Sequence, residues 1–365
     1  MKRIVICADG TWNQRDQIDK QTGKRRPTNV TKVARAVRAR AANGVDQIVY
    51  YHDGVGTGGA LDRFTGGAFG DGTEANVRDL YRFILYNYEE RDKEGRSDEL
   101  YFFGFSRGAF TARTLAGFMR KVGLLEKDDD YYIPEIYGCY ERSEGPGSEG
   151  WKRAFHNVRG TRACPKITFL GVWDTVGALG APGFLGQVFN RDKYKYHDIA
   201  LGPHIENAYH ALAVDERRKP FRPSIWERTP DFAGTVEQAW FAGVHSNVGG
   251  GLTPDGLANE ALHWLVEKAE THGLEFDREF LGHYIPCFNS TLHDSMSTMY
   301  RIMGAITRGI GEHGNDGECV HQSVIDRMND APSKYAPKQD SSLLRGDHAL
   351  PTVTTTRIAR GTACK

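Results

Sequence analysis

The chain has 365 residues, with 47 Lys+Arg against 47 Asp+Glu and 39% hydrophobic residues. That length fills one large α/β domain with insertions, or two smaller ones. The balanced charge excludes the electrostatic footprint of a nucleic-acid-binding protein, and no basic patch advertises an anionic membrane surface.

The first apolar run, Arg3–Ala8, reads as a buried strand and delivers Asp9-Gly-Thr-Trp-Asn13 to its end. It lacks the apolar core of a signal peptide, and no run in the chain approaches the ~20 residues of a spanning helix. The expectation is therefore a soluble, cytoplasmic chain, with signal-independent secretion left open. Thr28 reads as the N-cap of a helix over Thr28–Ala42. A second strand, Gln47–Tyr51, runs into Asp53-Gly-Val-Gly-Thr-Gly-Gly59. That loop has neither the Lys-Ser/Thr of a P-loop nor the spacing of a dinucleotide fingerprint, so it reads as a flexible wall of a site. A helix over Thr73–Glu90 follows, then a strand over Glu99–Phe105.

That strand ends in Gly104-Phe-Ser106-Arg-Gly108, and a helix over Arg107–Val122 begins at once. This is G-x-S-x-G in the strand–turn–helix context of a nucleophile elbow. The turn is so tight that both flanking positions must lack a Cβ. Residues 124–165 do not fit a minimal α/β unit and read as a cap, a substrate wall or a plain surface insertion. The strand Lys166–Trp173 delivers Asp174. A second insertion spans 177–235 and contains a helical pattern over His204–Val214. Val236–Gly243 reads as a strand leading to His245 and a tight Gly249–Gly251 turn. The helix Gly256–His272 then carries an apolar stripe of Leu257, Ala261, Leu262, Leu265 and Val266. The alternation predicts a mostly parallel, doubly wound sheet with helices on both faces, an α/β-hydrolase-like catalytic domain over 1–330. Residues 331–365 read as a tail, either an edge strand or partly disordered. Six scattered cysteines (Cys7, Cys139, Cys164, Cys287, Cys319, Cys364) have no zinc spacing and read as free thiols of a reducing compartment.

A serine hydroxyl needs a base to take its proton and an acid to fix that base. Ser106 is the candidate nucleophile. Asp174, at a strand C-terminus downstream, is the candidate acid, or else a cap for the turn toward Thr175 and Val176. His245 is the candidate base, with His293 and His321 as alternatives in polar loops. The backbone N–H of Arg107 and that of Gly10 or Thr11 are candidate oxyanion donors. Phe105, Phe110, Leu179, Phe184 and Leu185 are candidates for an acyl groove, or for core. This chemistry requires no cofactor and no metal. Asp9, Asp53 and Asp174 at three strand ends leave open a divalent ion and a phosphohydrolase, and a non-catalytic binding protein on the same fold is the third reading.

Six motifs in order, Asp9-Gly-Thr-Trp-Asn13, Asp53-Gly-Val-Gly-Thr57, Gly104-Phe-Ser-Arg-Gly-Ala109, Trp173-Asp-Thr-Val176, Asp215-Glu-Arg-Arg218 and Gly243-Val-His-Ser-Asn-Val-Gly-Gly-Gly251, closely resemble the α/β-hydrolase catalytic domain of type VI secretion phospholipase effectors. The resemblance covers about residues 1–330. It implies a Ser–Asp–His triad at Ser106, Asp174 and His245, and lipolytic esterase activity of the phospholipase A kind. It also implies an ester or lipid substrate, contact with a membrane surface, and a secretion machinery or immunity protein as partner. Two departures stand out. Asn247 occupies a position where such proteins often carry Asp, and the chain ends soon after the catalytic core, with no room for a large membrane-docking region.

Overall fold

The apolar runs of the sequence become strands because all but the edge run Gln47–Tyr51 are buried on both sides, and hydrogen bonding to parallel neighbours satisfies their backbone. In the computed structural model, the structure describes residues 1–10, 13, 16–18, 23–54, 68–176, 200–302, 304–312, 317–337, 344 and 350–355. Among them one sheet holds β1 (Lys2–Ala8), β2 (Asp46–His52), β3 (Glu99–Phe105), β4 (Ile167–Trp173), β5 (Asn207–Ala213), β6 (Thr235–Phe241), β7 (Glu318–His321) and β8 (Thr352–Val353). Their order is β8-β7-β6-β5-β4-β3-β1-β2, and every pairing is parallel. Among the described residues the α-helices are α1 (Asn29–Ala36), α2 (Ala68–Asn87), α3 (Arg107–Val122), α4 (Ile133–Glu141), α5 (Glu149–Ala154), α6 (His245–Gly249), α7 (Gly256–Thr271), α8 (Arg278–Leu281), α9 (Thr298–Ile302) and α10 (Gln322–Asn329).

Alternate residues of β1, β3 and β4 feed two of three cores, one on each face, while Leu212, Trp240 and Val320 of β5, β6 and β7 feed the third. Ile4, Ile6, Leu100, Phe102 and Val172 pack with α2 and α3 on one face. Val5, Cys7, Phe103, Phe105, Phe169 and Trp173 pack with α1 and α7 on the other. Strand order reverses between β1 and β3. In open parallel sheets a crevice forms there, beyond the carboxyl ends of the strands.

Three expectations need correction. The predicted helix over His204–Val214 is largely β5, paired to β4 and β6. It lies in mid-sheet with both faces covered, which erases the period-two signal and leaves an Ala/Leu-rich run that imitates a helix. The first helix stops at Ala36, six residues short. Val37 bridges to Phe276 and the Arg38 N–H donates to the Glu275 carbonyl at 3.0 Å, so tertiary pairing overrides a helix-compatible sequence. Finally, Cys287 is disulfide-bonded, while Cys7, Cys139, Cys164 and Cys319 are free. A disulfide removes the argument for a reducing compartment.

The insertion at 124–165 starts at the far end of α3, about 24 Å along the helix from Ser106. Its Ile133, Ile136, Tyr137 and Tyr140 extend the α2/α3 core, so this segment does not wall the serine.

Candidate active site

Ser106 sits between β3 and α3 with φ 58° and ψ −121°, a backbone conformation costly for any residue with a Cβ. The flanking glycines make the turn possible. A Cβ on Gly104 would lie 2.6 Å from Ala109 Cα, and one on Gly108 would lie 2.1 Å from the Ala8 carbonyl oxygen. The Ser106 N–H donates to the Trp173 carbonyl at 3.0 Å, carrying the β3–β4 ladder one residue past the strand. Asp174, just after β4, has φ 39° and ties its N–H to the Ala211 carbonyl at 2.7 Å. Two of the four non-glycine residues with positive φ among the described residues are thus Ser106 and Asp174. Backbone strain of this kind collects where a site demands it.

His245 opens α6, just after β6, and its imidazole joins the two. Its Nε2 lies 2.8 Å from Ser106 Oγ, and its Nδ1 lies 2.6 Å from Asp174 Oδ2. All three side chains are buried, at 7%, 4% and 0% exposure for Ser106, His245 and Asp174. Burial is the main force lowering the His245 pKa below its ordinary value, and the hydrogen bond and charge of Asp174 push back. The structure brings His245, rather than His293 or His321, to the serine. His293 is bonded to Asn247, and His321 lies between Ser323 and Thr355. Asn247 thereby ties the 291–293 segment to α6, also donating to the Thr291 carbonyl at 3.3 Å.

Phe105 is 2% exposed, with its ring 4.7 Å from the imidazole and Gly249 against its edge. It is the bed of His245, which corrects its assignment to an acyl groove. Phe110 is likewise buried. Leu179, Phe184 and Leu185 lie outside the described residues. The backbone N–H of Arg107 opens α3 beside the serine, where the helix dipole is positive. Gly10 packs against Ser106, where a Cβ would lie 3.1 Å from the serine Cβ, but its N–H donates to Asp9 Oδ1 at 2.7 Å. That bond corrects Gly10 as an available oxyanion donor; Thr11 lies outside the described residues.

The three strand-end aspartates do not form one ligand set. Asp9 accepts from Gly10, Thr28, Thr31 and Tyr51. Asp174 accepts from His245, Ala213 and Arg308. Among the described residues no group of three or more His, Cys, Asp and Glu is arranged to hold a metal ion.

Two charged groups at the site escaped the sequence reading. Glu216, fully buried, accepts the His245 N–H at 3.2 Å and pairs with Arg218 at 2.9 Å. The Arg218 guanidinium covers the Phe221 ring, whose edge meets the imidazole at 4.9 Å. This gives the Asp215–Arg218 motif a place beside His245. Arg308 forks onto Asp174, with Nη1 2.6 Å from Oδ1 and Nη2 3.0 Å from Oδ2. Nothing around Arg308 in the sequence forms a recognisable motif.

A parallel doubly wound sheet, with a serine elbow at its switch point, an aspartate at the end of β4 and a histidine just after β6, defines an α/β-hydrolase-like protein. The chain belongs to a particular family within that class: residues 2–268 match the catalytic domain of the type VI secretion system phospholipase effectors, Tle1-like. It is 26% identical over 254 residues to the uncharacterized protein YEL023C of Saccharomyces cerevisiae, covering 63% of this chain and 33% of that protein. Its fold is similar to the crystal structure of an uncharacterized protein from Pseudomonas aeruginosa, with a TM-score of 0.50 and 18% identity over 77% of this chain and 47% of the other. The Tle1 effector bound to the VgrG spike of the type 6 secretion system gives a TM-score of 0.36 and 19% identity, over 70% and 52% of the two chains. The chain thus spans about a third of the yeast protein and about half of each structural relative. Among the described residues no helix is long and apolar enough to cross a membrane.

Proposed function

We propose that the protein is a serine esterase that hydrolyses carboxylic esters of lipids, in the manner of a phospholipase A. The observation that carries this reading is the unbroken chain of contacts from Ser106 Oγ to His245 Nε2 at 2.8 Å and from His245 Nδ1 to Asp174 Oδ2 at 2.6 Å. Membership of a phospholipase effector family supports the lipid ester as substrate.

In this mechanism Ser106 Oγ attacks the ester carbonyl carbon as His245 Nε2 takes the hydroxyl proton. The carbonyl electron pair moves onto oxygen, where the Arg107 N–H at the positive end of α3 stabilises it. Collapse of this intermediate expels the alcohol, lysophospholipid in the case of a diacyl substrate, which takes the proton from His245. Water then attacks the acyl-enzyme with His245 again as base, releasing the fatty acid and restoring Ser106. Asp174 holds the imidazole in the tautomer that presents a lone pair to the serine. The family also suggests a secretion machinery as partner and a membrane as the place of action.

The test is hydrolysis of p-nitrophenyl butyrate and a short-chain phosphatidylcholine by wild type and Ser106→Ala, each with and without chelator. Chelator-resistant release of fatty acid by wild type, reduced at least a thousandfold in the variant, is the expected result. Equal rates for the two folded proteins would overturn the serine mechanism. Loss of activity on chelation would transfer the reading to metal-dependent chemistry.

A further inference from the structure

Asp174 is held by the imidazole at Oδ2 and by a permanent cation, Arg308, at both oxygens. Arg308 is 3% exposed, and its side-chain pairing with Asp174 is wholly buried. The same two nitrogens also donate onward, Nη1 to the Ala213 carbonyl at 2.9 Å and Nη2 to the Phe221 carbonyl at 2.7 Å. One guanidinium thus joins the end of β5, the acid, and the segment whose phenyl ring borders the imidazole. The arginine is itself held in place: the Ile306 N–H donates to the Arg217 carbonyl at 2.9 Å, and Ala305 bridges to Arg218. Arg308 lies outside residues 2–268, the stretch that matches the family.

We propose that Arg308 is a positioning residue for the candidate triad, whose two-pronged hold on Asp174 fixes the carboxylate for His245 and offsets the negative charge that would otherwise strengthen the base. The inference rests on the serine-esterase reading above. An aspartate held only by neutral donors turns its full charge toward the imidazole. Here Arg308 Nη2 and His245 Nδ1 bond the same oxygen, so the guanidinium is within about 6 Å of the ring that must become positive. Among the described residues Glu216 and Arg218 also act on His245, in opposite directions, and pair with each other at 2.9 Å. On the far side, His210 feels both Asp174 and Arg308, and burial keeps it neutral, with a pKa lowered to about 3. Arg308 places a permanent positive charge directly on the carboxylate of the Asp174–His245 pair. It keeps a fully buried carboxylate ionised and preoriented, and it lets the imidazole stay unprotonated, hence active as a base, in more acidic solution.

The test is the pH dependence of the second-order rate at which a fluorophosphonate probe labels Ser106, with Ser106→Ala as blank. Arg308→Met removes the charge and the fork. Its acid limb should move upward by about one to two pH units, from the Coulomb energy of a unit charge at that distance, and its plateau rate should fall. Arg308→Lys keeps the charge but cannot fork, so its limb should stay within about half a unit of wild type while the plateau falls about tenfold. A merely structural arginine would lower the plateau of Arg308→Met and leave the limb in place, and that result overturns the inference. Wild type that resists the probe overturns the serine reading and this inference together. If Arg308→Met does not fold, Arg308→Lys decides, because a wild-type plateau in that variant refutes the role of the fork.

Discussion

Replacing Gly108 by alanine sets two effects of known size against each other. Alanine is favoured over glycine in a helix by about 1 kcal/mol, so local propensity alone predicts a more stable protein. At Gly108 the added Cβ would stand 2.1 Å from the Ala8 carbonyl oxygen and 2.5 Å from both Ala8 C and Asp9 O. These are backbone atoms at the end of β1, pinned between β2 and β3, and no rotamer change relieves them. Ordinary carbon–oxygen contacts begin near 3.3 Å, so the start of α3 must withdraw by about 1 Å. Overpacking of this kind costs about 1–3 kcal/mol and outweighs the propensity gain. It also carries Ser106 away from His245, and a 1 Å misplacement costs about 100-fold in rate. Gly138→Ala in α4 is the control, since its Cβ would meet only the flexible Arg142 side chain, at 3.2 Å. It should gain up to about 1 kcal/mol with unchanged kcat/KM. In a chain of this size 1 kcal/mol moves Tm by only about 1 °C, so urea denaturation is the better measure of stability, with ester turnover read alongside. Gly108→Ala protein with wild-type stability and turnover would refute the claim that backbone contact fixes the elbow.

Gly249→Ala puts a Cβ 1.9 Å from Phe105 Cε2, so the ring beneath His245 must tilt. The expected result is a loss of about tenfold or more in kcat with little change in KM; steady-state kinetics check it, and an unchanged kcat counts against Phe105 as the support of the imidazole. His210 is fully buried and accepts the Thr175 N–H at 3.1 Å, and burial foremost lowers its pKa to about 3. Between that value and the ordinary histidine pKa near 6.5 the unfolded chain binds a proton that the folded protein refuses, so this residue's contribution to stability falls as pH falls through that window. The difference in unfolding free energy between wild type and His210→Gln should therefore change by about 2 kcal/mol from pH 7 to pH 5, read by urea denaturation at the two pH values. A pH-independent difference would mean that His210 takes up a proton as readily in the fold as in the unfolded chain, and would refute the claim that burial keeps it neutral.

The elbow was legible because its requirements are local. A tight strand-to-helix turn needs glycine on both sides of Ser106, and the backbone contacts at Gly104 and Gly108 are those the motif anticipates. The N-cap at Thr28 was legible for the same reason, its side chain accepting from the Thr31 N–H at 3.2 Å. Strand ends that point toward a common edge were inferable from the alternation of strands and helices, which brought Ser106, Asp174 and His245 into one shortlist. Phe105 was ambiguous by nature, since a phenylalanine beside a nucleophile looks the same in sequence whether it faces substrate or core.

What the sequence determined by itself is the set of short-range patterns: the parallel strands β1, β2, β3, β4 and β6, the elbow and the order of the candidate triad. Tertiary structure alone decided the rest. β5 became a strand because a vacancy between β4 and β6 imposed it on a helix-compatible run. Arg308 reached Asp174 across 134 residues of chain, and Glu216 reached the His245 backbone across 29. Polar contacts of that span leave no periodicity or spacing behind. They depend on where the fold delivers two side chains, and on the low polarity of the place where they meet.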